Sequence, residues 1–254
     1  MSDKIHNEQD FHDEFYEKEA DTIFHSACFS LVKKRNILFI LDAIDSPETK
    51  TVLSLGCGNG DYELLLAPHF KHITAIDISP RAIEIASQRA KEKGIKNVSF
   101  LAGDAGKISL SGTKYDAALL LSFLHHMDES LIRKIIGETY SVLNKKGIFI
   151  SFDPNANRLV NSLQGLVKKT FDKHHSPDER ELPPEFLKGQ LQKAGFIHPS
   201  KHWIDFFYNP LCWVFPGMPF MLAYPLYLLD NLFLKIPLWN KLSSGFAMVA
   251  MREK

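Results

Sequence analysis

The chain predicts a single α/β domain, with a mostly parallel sheet and helices on both faces. Three observations lead there. Short apolar runs alternate with helix-patterned stretches through residues 51–152. The first apolar run stops at a glycine cluster, Gly56-Cys57-Gly58-Asn59-Gly60. The 254 residues, 45% of them hydrophobic, suffice for one substantial core and are few for two.

The elements follow in order. Residues 11–29 and 30–45 read as two helices, with Leu31, Ile37, Leu38, Leu41 and Ile44 recurring at near-helical spacing. Thr51 to Leu55 is a strand, and Asp61 to Pro68 a short helix. Ile73 to Ile76 is a second strand ending at Asp77, and Pro80 opens a helix reaching about Lys93. Asn97 to Leu101 is a third strand, and Ala117 to Leu121 a fourth, apolar throughout and suited to burial on both faces. A helix over Leu131 to Leu143 leads into a fifth strand, Gly147 to Phe152. Beyond an insertion come a helix at Pro184 to Ala194, a sixth strand at Ile197 to Phe207 and a seventh at Gly245 to Met251. The last two can pair as an antiparallel hairpin at the sheet edge.

Composition narrows the partners. Thirty basic side chains balance thirty acidic ones, so no nucleic-acid partner is expected. The polar, acidic start has no apolar stretch, which makes the cytoplasm the expected compartment. Cys28, Cys57 and Cys212 are widely spaced and are expected to be reduced thiols. His174-His175 lies in a polar segment without a metal-ligand pattern, so no metal is expected.

The glycine turn carries the chemistry. It joins a strand to a helix, and glycines there let a ligand approach the backbone. A dinucleotide fingerprint needs glycine at 61 or at 63, where Asp61 and Glu63 stand. Acids beside the turn repel a pyrophosphate but tolerate a cation, and S-adenosylmethionine carries an ammonium and a sulfonium and no phosphate. At the end of the second strand, Asp77 can accept both ribose hydroxyls, or cap the helix at Ser79-Pro80. After the third strand, Asp104 can accept from an adenine amino group while Ile78 packs on the ring; the alternative is an ordinary turn aspartate.

These segments together resemble the class I S-adenosylmethionine-dependent methyltransferases. LSLGCGNG, AIDIS, AGDA, YDAALLLSFLHHM and LNKKGIFI match successive family motifs within residues 45–205, and the likeness resumes at 244–252. The resemblance implies a Rossmann-like, seven-stranded sheet and S-adenosylmethionine as cofactor. It implies that Leu55, Gly56, Gly58 and Gly60 line the methionine part of the donor. It places Asp77 on the ribose, Ile78, Asp104 and Ala105 at the adenine, and Ser122 and Phe123 beneath the donor near its sulfonium. Tyr16 resembles aromatics of an N-terminal helix that closes over the donor. The chain then divides into a helical cap at 1–45, a donor-binding core at 46–205, an apolar insertion at 206–243 and a terminal edge strand at 244–254.

Methyl transfer from a sulfonium is an in-line displacement, so the protein's work is alignment and exclusion of water. His125 and His126 are the candidate bases if the acceptor must lose a proton; either can instead cap its loop. The run Asp153 to Asn157 is expected to face the acceptor cavity or to form a turn.

The insertion is the chain's own departure. Phe206 to Leu228 holds no charged side chain, yet Pro210, Pro216, Pro219 and Pro225 interrupt it, which argues against one spanning helix. It reads as a lid, a dimer contact or a monotopic membrane surface. In the last case Phe206, Phe207, Tyr208, Trp213, Phe215, Phe220, Tyr224, Tyr227, Phe233 and Trp239 meet the bilayer boundary, and Lys235 and Lys241 meet headgroups. The chain is then peripheral at the inner face of a membrane. The expected function is methyl transfer to a small acceptor, lipid-like or apolar. The alternatives are a water-soluble metabolite under an apolar lid, and a non-catalytic donor-binding interaction protein.

Overall fold

The computed structural model describes residues 26–159 and 180–253. Seven strands form one sheet in the order β3-β2-β1-β4-β5-β7-β6. They are β1 (Thr51–Leu55), β2 (His72–Asp77), β3 (Val98–Ala102), β4 (Tyr115–Leu121), β5 (Leu143–Pro154), β6 (Phe196–Asp205) and β7 (Gly245–Arg252). The helices are α1 (Ala27–Ala43), α2 (Asp61–Leu66), α3 (Pro80–Glu92), α4 (Glu129–Val142), α5 (Pro184–Lys193), α6 (Tyr208–Val214) and α7 (Phe220–Phe233). Tyr16 and His174-His175 lie outside the described residues.

Strand alternation divides the core. Leu53, Leu55, Ala118, Leu120 and Phe149 face one side, under Ile132, Ile135 and Ile136 of α4 and Leu187 and Leu191 of α5. Val52, Ala117, Leu119 and Ile150 face the other, under Ile40 of α1 and Leu66 of α2. Local chemistry sets the helix starts. Ser79 Oγ accepts from Ala82 N at 2.9 Å ahead of Pro80, and Asp128 Oδ1 accepts from Leu131 N at 2.9 Å. The helix expected to begin near residue 30 begins at Ala27, because Ser26 accepts from Phe29 N.

The seventh strand is not at the edge. β7 lies between β5 and β6 and runs antiparallel to both, which leaves β6 outermost. β6 therefore runs parallel to β5, and the insertion after it leaves from the carboxyl edge of the sheet. That is the edge where open α/β sheets bind ligands.

The insertion folds as α6, α7 and a 3₁₀ turn at Trp239–Leu242. Proline breaks it less than expected. Pro219 caps α7, but Pro225 sits inside that helix on its exposed side. Among the described residues no helix is long and apolar enough to cross a membrane. The aromatic set splits into two faces. Phe206 and Tyr208 are buried, and Trp213 meets Phe29 of α1 edge-on at 5.0 Å. Phe215, Phe220, Tyr224 and Trp239 point outward.

One buried acid pins the insertion to the core. Asp230 Oδ1 accepts the backbone N–H groups of Phe206, Phe207 and Tyr208 at 3.1, 2.7 and 2.8 Å. Its Oδ2 accepts from Arg35 Nη1 at 2.7 Å, and Arg35 also pairs with Asp205 at the end of β6. Asp230 is fully buried, so each of these bonds is shielded from water. Asp230→Ala is expected to cost about 3–5 kcal/mol, the penalty for stranding a buried charge and its donors. Chemical denaturation should show that loss, and limited proteolysis should cut within 206–240 first.

Candidate active site

The site is assembled at the carboxyl ends of β1, β2, β3 and β4. Gly56 and Gly58 both take positive φ, 71° and 51°, where a side chain is strained. Gly56 N and Cys57 N donate to Ile76 O at 2.8 and 3.3 Å, tying the turn to β2. Phe123 closes over the turn: a Cβ on Gly56 would lie 2.2 Å from its ring. The structure thus brings Gly56, expected at the methionine part of the donor, against Phe123, expected near its sulfonium. Gly60 also has positive φ, but it turns its Cα toward Phe100 and Ala86 of the core. The Leu55 side chain is buried in the core, so only its backbone can reach a ligand.

Asp77 ends β2 with both oxygens engaged. Oδ2 accepts Gly58 N at 2.8 Å and Oδ1 accepts Ser79 N at 3.0 Å. It braces the turn and the start of α3 together, at the end of the strand where a ribose would lie. Ile78 is half-buried beside it. Asp104 Oδ1 accepts from Gly106 N at 2.7 Å and Oδ2 pairs with Lys107 at 3.2 Å, the bonds of a turn aspartate. Burial acts to raise its pKa, but the Gly106 N–H and the Lys107 ammonium outweigh it and hold it below the usual range. Ala105 follows, half-buried. Ser122, at the end of β4, is exposed with φ 53° and donates its N–H to Phe152 O at 2.8 Å.

The acids flanking the turn have separate fates. Asp61 is neutralised by Lys33 of α1 at 3.1 Å and Arg89 of α3 at 2.6 Å. Glu63 is 2% exposed and accepts from Ser54 Oγ at 2.6 Å, while its Oε2 is buried with no hydrogen-bond partner. A buried carboxylate oxygen with nothing to accept suits a cationic ligand, and S-adenosylmethionine fits this turn on that ground. Burial, with smaller contributions from Glu63 and Asp77, pushes the Cys57 thiol up and leaves it unreactive at neutral pH.

His125 and His126 follow β4 with ring centroids 4.1 Å apart. His125 is the more buried, and Asp153 Oδ1 lies 3.2 Å from its N and 3.3 Å from its Nδ1. Burial pushes the Asp153 carboxyl well above the usual carboxylate range, beyond what the His125 N–H can offset. Asn155, from the same run, does not line a cavity. It is fully buried and donates Nδ2 to Lys241 O and Ser243 O at 3.1 and 2.8 Å, closing the insertion.

A seven-stranded sheet of this order, with a glycine turn after β1 and an acid ending β2, defines a class I S-adenosylmethionine-dependent methyltransferase fold. A family profile described as "Methyltransferase domain" matches residues 47–197, and the chain belongs to that family. The cofactor implied by the motifs, S-adenosylmethionine, agrees with it. YcgJ of Bacillus subtilis, described as an uncharacterized methyltransferase, is 30% identical over 121 residues, 45% of this chain and 47% of YcgJ. Its crystal structure matches with a TM-score of 0.59 at 18% identity, covering 87% of this chain and 99% of YcgJ. The demethylmenaquinone methyltransferase of Leptospira interrogans is 36% identical over 106 residues, 40% of this chain and 42% of that enzyme. The chain therefore spans about half or less of the length of these curated relatives.

One expectation is overturned here. Neutral charge argued against a nucleic-acid partner, yet the relatives include the tRNA/tmRNA (uracil-C(5))-methyltransferase of Campylobacter lari, 33% identical over 87 residues, 33% of this chain and 25% of that enzyme. Other relatives are described as RNA methyltransferases. What they share with this chain is a segment of the methyltransferase core, and net charge averaged over a whole chain does not report on the acceptor.

Two substitutions test the turn. Gly56→Ala is expected to weaken S-adenosylmethionine binding at least about tenfold, through strain at positive φ and the clash with Phe123. Asp77→Ala is expected to weaken it by a similar or larger factor, because charge-assisted bonds worth about 1.5–3 kcal/mol are lost. Calorimetry with circular dichroism as the folding control reads both; unchanged affinity in either contradicts the assignment.

Proposed function

We propose that this chain transfers a methyl group from S-adenosylmethionine to a small, apolar, lipid-like acceptor taken from a membrane surface. The observation that carries the acceptor class is the outer face of the insertion. Among the described residues, twelve of the sixteen exposed large hydrophobic side chains lie between Phe215 and Leu242. Met221 is 85% exposed and Leu238 71%. A contiguous apolar patch of this kind marks an interaction surface. Its exposed charges are Lys235 and Lys241, while Asp230 is buried against Arg35, so the face complements anionic headgroups. The patch leaves the sheet at the edge that carries the donor turn. A lid over an enclosed acceptor would turn these side chains inward. Demethylmenaquinone methyltransferases stand among the relatives beside the RNA methyltransferases, and a menaquinone precursor is an acceptor that this surface would suit.

S-adenosylmethionine supplies an electrophilic methyl on a sulfonium. Gly56 and Gly58 give its methionine part access to the backbone, Asp77 accepts from the ribose, and Phe123 covers the turn against water. If the acceptor is a hydroxyl, His125 takes its proton. Asp153 faces Nδ1, so Nε2 is the atom that receives it. Asp153 is a positioning residue: its Oδ1, beside both the His125 N–H and Nδ1, fixes the ring so that Nε2 faces away from it.

His125→Gln is expected to lower turnover at least about 10²-fold with little change in donor affinity, the usual range for a general base. Retained activity across pH would rule out that role. For the surface, flotation with vesicles containing anionic lipid should carry wild-type protein upward. A Phe215, Met221 and Leu238 triple change to Ser should bind at least about tenfold less, since each buried side chain contributes up to about 1.5–3 kcal/mol. Trp213 is left intact because it packs against Phe29. If monodisperse wild-type protein ignores vesicles of both neutral and anionic composition, the acceptor is better sought among water-soluble molecules.

A further inference from the structure

We propose that Glu63, braced by Ser54 beneath the glycine turn, is the counter-charge to the donor's ammonium and loses its proton when the donor binds. The inference rests on the donor reading above and deepens it, giving the unpartnered Glu63 oxygen a specific group of the donor to answer.

The geometry singles Glu63 out from its neighbours. Asp61 is answered by Lys33 and Arg89. Asp77 spends both oxygens on the N–H groups of Gly58 and Ser79. Lys34 of α1 is exposed, Arg35 is held by Asp205 and Asp230, and Asn36 donates to Tyr62 Oη at 2.8 Å. Cys57 and Tyr62 complete the surroundings, and both are held in their neutral forms, Tyr62 pushed up to about 12 mainly by burial. Among the described residues Glu63 has no cationic partner, and one of its buried oxygens accepts nothing. A buried carboxyl in that position resists ionisation until a positive group arrives.

Burial is the main cause that lifts Glu63 to about 7; Asp61 and Asp77 add to it, and the Ser54 hydrogen bond opposes it. A cation beside the carboxyl reverses the balance, and the acid releases a proton to solvent with no other bond changed. The sign follows from linkage. Donor affinity rises as pH climbs through about 7, and it falls again above about 8, where the donor's own α-ammonium loses its proton. Below about 7 it falls toward about tenfold per pH unit. Kd at pH 6 is then expected to be about fivefold weaker than at pH 7.

Calorimetry in two buffers of different ionisation enthalpy counts the protons released. S-adenosylmethionine should release a fraction of a proton at pH 6.5 to 7, and 5′-methylthioadenosine, which lacks the ammonium and the sulfonium, should release none. Glu63→Gln should abolish the release and the pH dependence between pH 6 and 7 and weaken S-adenosylmethionine at least about tenfold, while leaving 5′-methylthioadenosine unchanged. Ser54→Ala is the second variant if Glu63→Gln does not fold. It keeps the carboxyl, removes its brace and should move the pH midpoint upward. Equal weakening of both ligands by Glu63→Gln, or the same proton release as wild type, overturns the inference and leaves Glu63 a structural brace. If wild type binds neither ligand, the donor reading itself has failed.

Discussion

The pairing of Arg35 with Asp205 and Asp230 is the constraint on which the rest of the structure depends. Asp230 is the one acid in an otherwise apolar insertion, and it gathers three backbone N–H groups as well as the guanidinium. The neighbours of Arg35 on α1 turn the other way: Lys33 pairs with Asp61 and Asn36 bonds to Tyr62, just after the glycine turn. One helix thus references both the donor turn and the insertion. Hydrophobic burial alone would not fix which face of α7 looks outward, because that helix is apolar nearly all round. The buried charge selects the face. It puts Ala223 and Asp230 inward and leaves Met221, Leu222, Leu228 and Leu232 in solvent.

Charge also organises the donor end, by a different route. Three carboxylates crowd the turn, and the protein treats each differently. Asp61 is cancelled by two cations, Asp77 is absorbed into backbone bonds, and Glu63 is buried with half its acceptor capacity unused. A site for a cation needs a net negative potential that does not tear the empty protein apart. A third acid whose ionisation burial opposes until a cation arrives meets both demands.

Much of the fold was legible because its signals are local. The strand at Thr51–Leu55 was read to the residue, and the helix begins at Pro80 as Ser79-Pro80 suggested. Elements built on period and capping need no knowledge of distant neighbours. The edge position expected for the seventh strand was wrong because strand order is a tertiary property: β7 slips between β5 and β6. In the site, the glycine turn and Asp77 were visible as motifs. The partners were not. Asp153 at His125 is 28 residues away in sequence, Arg35 is 195 residues from Asp230, and nothing in either segment points to the other. In sequence Glu63 is only one of two acids beside the turn, a mismatch to a nucleotide pattern and tolerant of a cation. Its significance comes from burial and from Ser54, which spacing alone does not reveal.

Transfer of isotope-labelled methyl from S-adenosylmethionine into total cell extract, partitioned between organic and aqueous phases, tests the central claim most directly. The account expects label in the organic phase, on a small apolar product, and expects it to fall when the outward side chains of α7 are made polar while donor binding is kept. Label confined to the aqueous phase or to RNA, unaffected by those changes, would contradict it.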